Sequence, residues 1–211
     1  MNIKNETQTH IVDPEGIDKL AELAVKVGLG LQPGQDLILT APIEALPLVR
    51  RVVVHAYKAG GGLVTPFYSD PEVTLARYRH GSDDAFDHAA DWLYNGMGEA
   101  FDKNTARMAI VGDDPMLLAQ QDPDKVGRAN KANSIAYTPA RQRITEFDIN
   151  WNLISWPSLA WAAQMFPELP IEIAQSNLAK AIFSASRVDT PGPMKAWEEH
   201  NKALRLRSDA R

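Results

Sequence analysis

Three aspartates and a histidine recur at a spacing that places side chains on one face of a helix: Asp84, Asp87, His88 and Asp91. Carboxylates beside an imidazole are a donor set that holds transition metals. The same residues also suit a solvated helix face, whose early acidic residues favour the positive end of the helix dipole. We favour the solvated face, because the apolar residues that would pack on the core lie opposite.

A second pair of carboxylates, Asp113 and Asp114, follows a short apolar segment that reads as a strand. Open α/β sheets bind ligands beyond the carboxyl ends of their strands, and two adjacent aspartates resemble a site for a hard cation. The sequence from Gly112 to Pro115 is also a good turn and helix N-cap, and we favour that interpretation. Ser158, which follows Pro157 at another strand exit, is explained in the same way as an N-cap.

The run of glycines at 60–62 is not a dinucleotide-binding loop. That fingerprint lies after a strand and before a helix, whereas these glycines follow a helical pattern and precede a strand. They therefore predict a helix end and a tight turn. The sequence also has no phosphate-binding loop of the Walker type, no His-Glu-x-x-His motif and no Gly-x-Ser-x-Gly nucleophile elbow.

Trp151, Trp156 and Trp161 lie close together in the sequence. Tryptophans can stack on nucleic acid bases, but such sites lie within a basic surround, and the basic residues here are scattered. Core packing, or burial at a domain or subunit interface, is therefore the favoured interpretation. We predict no nucleic-acid partner, and no catalytic, cofactor-binding or metal-binding residue is assigned from the residues alone.

Composition is that of an ordinary globular chain. Of the 211 residues 45% are hydrophobic and 23% charged, and the formal net charge is −5. The absence of cysteine excludes disulfides, thiolate nucleophiles and cysteine-based zinc sites in this chain. No apolar run approaches the roughly 18 residues of a membrane span, and the first residues have no signal-peptide core. We expect a cytoplasmic protein that does not enter the membrane.

Helical and strand patterns alternate along the chain, which predicts an α/β domain with an open, mostly parallel sheet flanked by helices in a Rossmann-like three-layer arrangement. The strands are predicted to be buried on both faces at their apolar centres, at 37–39, 63–64 and 109–111. The predicted elements are helix 14–28, strand 36–40, helix 44–59, strand 63–68, a helix after Asp70, a longer helix from Ser82 through Tyr94, strand 107–111, helix 124–136, strand 150–155 and two or three final helices.

The last helical pattern begins at Pro193 and continues to Arg211 without a glycine cap or a polar tail. This predicts a piece of a longer protein: a loosely held tail at 1–12, an α/β N-terminal domain at 13–211, and a catalytic domain beyond Arg211. Three classes remain open on the residues alone: part of an enzyme, a small-molecule binding domain that uses the strand exits near Asp113, or an interaction module.

Several stretches, in order along nearly the whole chain, resemble the N-terminal domain of the M29 family of metallo-aminopeptidases, the group of aminopeptidase T and aminopeptidase S. They are LAELAVKVGL at 20–29, LQPGQ at 31–35, APIEALPLVR at 41–50, ANSIAY at 132–137, FDINWN at 147–152 and ASRVD at 185–189, which leads to Ala196 and Trp197.

The resemblance implies that the full-length enzyme removes N-terminal amino acids from peptides. It implies a pair of divalent metal ions (zinc, cobalt, magnesium or manganese), held by glutamate, histidine and aspartate side chains of the family's C-terminal domain. It also implies a homodimer with an enclosed active-site chamber. No catalytic motif of the family aligns to this chain, so no catalytic residue is carried over. The expected role of this chain is to shape access to the catalytic domain and to support assembly, with no activity by itself.

Overall fold

The computed structural model describes residues 11–209, so the ends of both terminal predictions, at 1–10 and 210–211, lie outside the described residues. The described part of the predicted tail is not loosely held throughout, because Val12 is buried in the core. The described helices are α1 (Pro14–Leu23), α2 (Leu46–Lys58), α3 (Pro71–His80), α4 (Asp91–Asp102), α5 (Pro123–Thr145), α6 (Leu159–Met165), α7 (Ile171–Ala185) and α8 (Pro193–Asp209). The strands are β1 (Leu37–Pro42), β2 (Val64–Ser69), β3 (Ala106–Val111) and β4 (Trp151–Ser155).

The four strands form one parallel sheet in the order β2-β1-β3-β4. Ile38 of β1 lies between Thr65 of β2 and Arg107 of β3, and Arg107 in turn pairs with Trp151 of β4. The predicted open parallel sheet is confirmed. The chain places β2 on one side of β1 and then β3 and β4 on the other side. The boundary between β1 and β3 is therefore the switch point where open α/β sheets form their ligand crevice.

Helices cover both faces of the sheet. The larger core joins one face to α1, α2 and α7, with Leu39, Val52 and Leu178 among its buried residues. The smaller core joins the other face to α4 and α5 around Ile38 and Phe101. The three-layer arrangement therefore agrees with the prediction, because each face of a sheet buries its apolar side chains only against another layer.

The two outer strands are less buried than predicted. β1 is almost entirely buried, whereas most residues of β2 and β4 are partly or fully exposed. Leu63, placed at a buried strand centre by its apolar character, lies before β2 and is 65% exposed. Pro42, predicted to break the first strand, is the last residue of β1 and pairs with Ser69; proline is tolerated at a strand end, where no further ladder bond is required.

The first helix begins as predicted and ends later. The Asp13 carboxylate accepts from the backbone N–H groups of Glu15 and Gly16 at 3.2 and 3.0 Å, and Pro14 occupies the first turn. The chain continues as a π-helix over Ala24–Leu29 and stops at Gly30, in the left-handed conformation with φ 62°. Gly28 is therefore not the cap. It lies inside the π-helix, where a methyl group would overlap the Asn152 side chain.

The prediction of one longer helix from Ser82 is wrong. Residues Asp83–Asp87 form a 3-10 turn, and α4 begins only at Asp91. The Arg77 guanidinium bonds the backbone carbonyls of Ala85 and His88 at 2.6 and 2.8 Å. A continuous α-helix would use those carbonyls for its own hydrogen bonds, so a tertiary contact overrides the local pattern.

Helix α5 is longer than the predicted 124–136 because it continues through Pro139. Proline leaves the carbonyl of Ile135 without its helical donor, but Ile135 lies on the solvent side and is 65% exposed. On the other side, Ala140 and Ile144 are buried in the smaller core. Burial of this second half offsets the lost hydrogen bond. The glycines at 60–62 form the predicted helix end and turn, with Gly60 at φ 84°.

Candidate functional site

The aspartates at the exit of β3 serve as turn and loop acceptors. Asp114 Oδ1 accepts from the backbone N–H of Met116 at 2.8 Å and from Gln164 Nε2 at 3.3 Å. Asp113 Oδ1 accepts from the Ser69 hydroxyl at 3.4 Å, which joins the exits of β2 and β3. The turn interpretation of this pair is therefore confirmed for Asp114, but no helix begins there, so the predicted helix N-cap is wrong. Asp113 makes a weak cross-strand contact.

Ser158 is a helix cap, as predicted. Its Oγ accepts from the backbone N–H of Trp161 at 3.2 Å at the start of α6, and the residue is buried. The Glu44 carboxylate, at the exit of β1, accepts weakly from the backbone N–H of Leu159 at 3.4 Å. The edge of the sheet where an α/β fold places its ligand is thus held together by hydrogen bonds of loop side chains and by one helix cap.

The predicted one-face cluster does not form. Asp84 and Asp87 lie on the 3-10 turn, His88 lies in the linker that follows, and Asp91 opens α4, so the four side chains do not share a helix face. The structure instead pairs Asp87 with Arg128 of α5, at 2.9 Å from Oδ1 to Nε. The same guanidinium bonds Asp83, at 3.0 Å from Nη1 to Oδ2.

These ion pairs change the acidity of the carboxylates. The hydrogen bond from Arg128 holds the pKa of Asp87 below its ordinary value, and burial opposes that effect only in part. A hydrogen bond from Ser82 lowers the pKa of Asp84 in the same direction. The Arg128 guanidinium is correspondingly harder to deprotonate, because the bonds to Asp87 and Asp83 raise its pKa.

A divalent metal pair does not fit these side chains. Such a pair requires several carboxylate or imidazole donors that converge with free lone pairs, whereas Asp87 and Asp83 face a guanidinium and Asp114 faces two N–H donors. Within residues 11–209, no group of three histidine, aspartate or glutamate side chains is arranged to hold a metal ion. No catalytic step is therefore derived from these residues.

The three tryptophans do not form one surface. Trp156 is buried in the larger core, and Trp161 packs against that core partly buried. Trp151 instead lies at the open edge of the sheet, 37% exposed, with its ring centroid 6.5 Å from that of Phe147. The prediction of core packing is confirmed for Trp156 and Trp161. An interface role remains a hypothesis for Trp151 alone.

The edge surface consists of Phe147, Trp151 and Leu153. Phe147 is 77% exposed and Leu153 is 50% exposed. The backbone of Phe147 has φ 60°, a left-handed conformation that is uncommon for residues other than glycine. Trp151 and Leu153 are two positions apart in β4, so their side chains point to the same face of the sheet. Sequence reasoning missed Phe147 and Leu153; the alternation within WNLIS was the available signal, but it does not reveal that β4 is an outer strand.

An amide cluster at the amino end of the sheet was also missed. The buried side chain of Gln35 donates to the Asn104 carbonyl at 2.8 Å and to Asn150 Oδ1 at 2.7 Å. Asn150 Nδ2 donates to the carbonyls of Leu29 and Gly30 at 3.1 and 3.3 Å. The cluster joins the segments that precede β1, β3 and β4 and therefore fixes the sheet's geometry.

Comparison with known proteins assigns the family. The model of the thermophilic metalloprotease family M29 matches residues 14–210, which is nearly the whole chain. The chain belongs to the M29 family. It is 47% identical to aminopeptidase T of Thermus thermophilus over 188 residues, which cover 89% of this chain and 46% of the relative. It is 38% identical to aminopeptidase 2 of Geobacillus stearothermophilus over 89% of this chain and 46% of that relative.

The solved structure of wild-type AmpT from Thermus thermophilus has the same fold over the shared part, with a TM-score of 0.84 and 45% identity. The match covers 89% of this chain and 46% of that chain. The M29 chain described here therefore spans about half the length of the relatives it matches. Over residues 11–209, no helix is both long enough and apolar enough to cross a bilayer.

Proposed function

We propose that this chain is the N-terminal α/β domain of a metal-dependent aminopeptidase, which as a full-length protein removes N-terminal amino acids from peptides. Membership of the M29 family supports the reaction class, because the family is one of metalloproteases and the relatives named above are aminopeptidases. The half-length match supports a division of labour between this chain and a second part.

The observation that supports placing the catalytic groups elsewhere is that the carboxylates described above already have hydrogen-bond or ion-pair partners. Asp83 and Asp87 form ion pairs with Arg128, and Asp114 accepts a backbone hydrogen bond within the loop after β3. A metal ion that displaced these contacts would leave the Arg128 guanidinium without its acidic partners. We therefore propose that the metal ligands and the other catalytic groups belong to the part of the full-length enzyme that follows this chain.

The proposed role of this chain is to shape access to the catalytic part and to support assembly. The edge surface is the region that we assign to this role, because three large apolar side chains are exposed beside β4, which is an outer strand of the sheet formed by residues 11–209. Such patches are typical of interaction sites. A homodimer and a cytoplasmic location belong to the same proposal and rest on the family resemblance and on the sequence.

The alternative of a self-contained binding domain at the strand exits near Asp113 is not supported. The relatives named above are aminopeptidases. At those exits Asp114 accepts a hydrogen bond within its loop and Ser158 caps α6.

Metal stoichiometry tests the division directly. This chain and a chimaera in which it is followed by the remaining part of the Thermus thermophilus relative are dialysed against zinc, cobalt, magnesium or manganese, and bound metal is counted by mass spectrometry. We expect two tightly bound ions per chimaera and none per chain of 211 residues. Stoichiometric, tight metal binding by this chain alone would contradict the proposal.

The role of the edge surface is tested in the chimaera. Replacement of Trp151 and Leu153 by serine removes exposed apolar area, so we expect weaker assembly in analytical ultracentrifugation together with lower activity. Trp92→Ser is the matched control, because Trp92 is 76% exposed on α4. Unchanged assembly and activity in the Trp151 and Leu153 variant would refute this assignment.

A further inference from the structure

A groove lies between α4 and α5 over the middle of the sheet. It has a volume of about 440 Å³ and is lined by Thr40, Tyr94, Met97, Arg107, Asn133, Ser134 and Tyr137. That volume is within the range of small-molecule sites. Its floor consists of β1 and β3. Tyr94 of α4 and Tyr137 of α5 contact each other at its side, with their ring centroids 5.3 Å apart.

Arg107 is the charged group of the groove. It is partly buried on β3, on the sheet face that bears Ile38 of the smaller core. Among residues 11–209 it takes part in no ion pair, in contrast to Arg128 and Arg143, which bind carboxylates. A guanidinium with reduced hydration and no acidic partner is a binding group for an anion.

The other polar groups of the groove are neutral and able to donate hydrogen bonds. They are the side chains of Thr40, Asn133, Ser134 and the two tyrosines. Burial raises the pKa of the Tyr137 phenol, whereas the neighbouring Arg107 acts in the opposite direction through its charge and a hydrogen bond. The lining contains no aspartate or glutamate. Its chemistry is therefore suited to a negative group and offers no counter-ion to an ammonium.

We propose that this groove binds the carboxylate of a small organic acid at Arg107, with the apolar or aromatic body of that acid packed on the groove side of the contacting Tyr94 and Tyr137 rings. The planar fork of a guanidinium matches a carboxylate in a two-point contact. One guanidinium in the lining suits a single negative charge better than the double charge of phosphate. The partly exposed ring surfaces of the two tyrosines suit an apolar body.

The probe is 3-phenylpropionate, titrated into the 211-residue chain and followed by calorimetry and by NMR. We expect saturable binding, with shifts of the Arg107 Nε–H signal and of amides at Tyr94 and Tyr137. Phenethylamine, which has the same ring and the opposite charge, is expected not to bind. Absence of saturation by 3-phenylpropionate, or shifts confined to other regions, would overturn the proposal, and so would tighter binding of inorganic phosphate.

Arg107→Met keeps an apolar side chain at the strand position and removes the charge. We expect it to weaken binding of 3-phenylpropionate by about tenfold or more, in line with the loss of a charged hydrogen bond. Arg50→Met, an exposed position on α2 at the opposite face of the sheet, is the matched control and is expected to bind as the parent chain does. Equal binding by both variants would refute a role for Arg107. If Arg107→Met does not fold, the NMR shifts of the parent chain decide the question.

Discussion

Arg128 on α5 holds both carboxylate oxygens of Asp87, with Nε to Oδ1 at 2.9 Å and Nη2 to Oδ2 at 2.5 Å. The two residues are separated by 41 positions in the chain, so the contact joins the 3-10 turn to the long helix. Two-point contacts of this kind are stronger and more directional than a single surface ion pair. Asp87 is thereby committed to positioning the turn.

Removal of the Arg128 charge is expected to lower the midpoint of thermal unfolding. Arg128→Met leaves Asp83, Asp87 and Asp124 close together without their shared cation. Differential scanning calorimetry at pH 7 gives the measurement. Arg79→Met is the control, because Arg79 and its partner Glu72 are both more exposed, and surface pairs of this kind contribute little. Equal effects of the two substitutions would show that the Arg128 contacts have no special weight.

The acid sensitivity of the chain is expected to depend on the same pair. The pKa of Asp87 is lower in the folded chain than in the unfolded chain, so the ionised form stabilises the fold above the unfolded value of about 3.9. That contribution is lost as the pH falls through the lower, folded value. Urea unfolding between pH 7 and pH 2 is expected to show a steeper loss of stability below about pH 4 in the parent chain than in Asp87→Asn. Parallel curves would contradict this assignment.

Asp87→Asn with His88→Ala is expected to leave the metal dependence of the active chimaera unchanged. Neither side chain is placed to act as a metal ligand, since Asp87 faces Arg128 and His88 lies in the linker before α4. The measurement is activity as a function of added zinc, cobalt, magnesium or manganese. A shift of the activating concentration by about tenfold or more, the effect of losing a supporting metal contact, would return these residues to the list of candidate ligands.

The amide cluster is expected to stabilise the sheet. Asn150→Ala removes hydrogen bonds to Gln35 and to the carbonyls of Leu29 and Gly30, and leaves the buried Gln35 side chain short of a partner. An unsatisfied buried polar group costs roughly 1–3 kcal/mol of unfolding free energy. Gln142→Ala is the control, since its side chain bonds Glu146 on the exposed surface of α5. Losses that are equal in the two variants, measured by urea unfolding, would exclude this role.

Gly28 and Asn152 are expected to be coupled. A methyl group at Gly28 would overlap the Asn152 side-chain amide, which donates to the carbonyl of Ala24 at 3.2 Å. We expect Gly28→Ala to cost about 1–3 kcal/mol, as overpacking does, and to cost less when Asn152 is alanine. Gly127→Ala, at an open and exposed position inside α5, is expected to stabilise by roughly 0.5–1 kcal/mol. Additive effects of Gly28→Ala and Asn152→Ala would refute the coupling.

Local chemistry explains which parts of the fold could be predicted. The start of α1 follows from Asp13 and Pro14, whose effects operate within one helical turn. The parallel sheet follows from the alternation of helices and strands. The helix after Ser82 was predicted wrongly because Arg77 takes the carbonyls that the helix would need, and no local pattern reveals that contact.

The candidate site was harder to predict for the same reason. The turn bond of Asp114 follows from a local turn sequence, whereas the pairing of Asp87 with Arg128 depends on two distant segments meeting. Trp151 and Trp156 are five positions apart, yet one lies at an open strand edge and the other in the core. Their difference arises from the position of β4 at the end of the sheet, which the sequence pattern does not specify.

Release of amino acids from aminoacyl p-nitroanilides tests the central claim most directly, with this chain, the chimaera and the Thermus thermophilus relative assayed side by side under each metal. We predict metal-dependent activity in the chimaera and in the relative, and none above the uncatalysed rate in the 211-residue chain. Metal-dependent turnover by the 211-residue chain alone would contradict the account and would make Asp84, Asp91, Asp113 and Asp114 the first residues to examine as ligands.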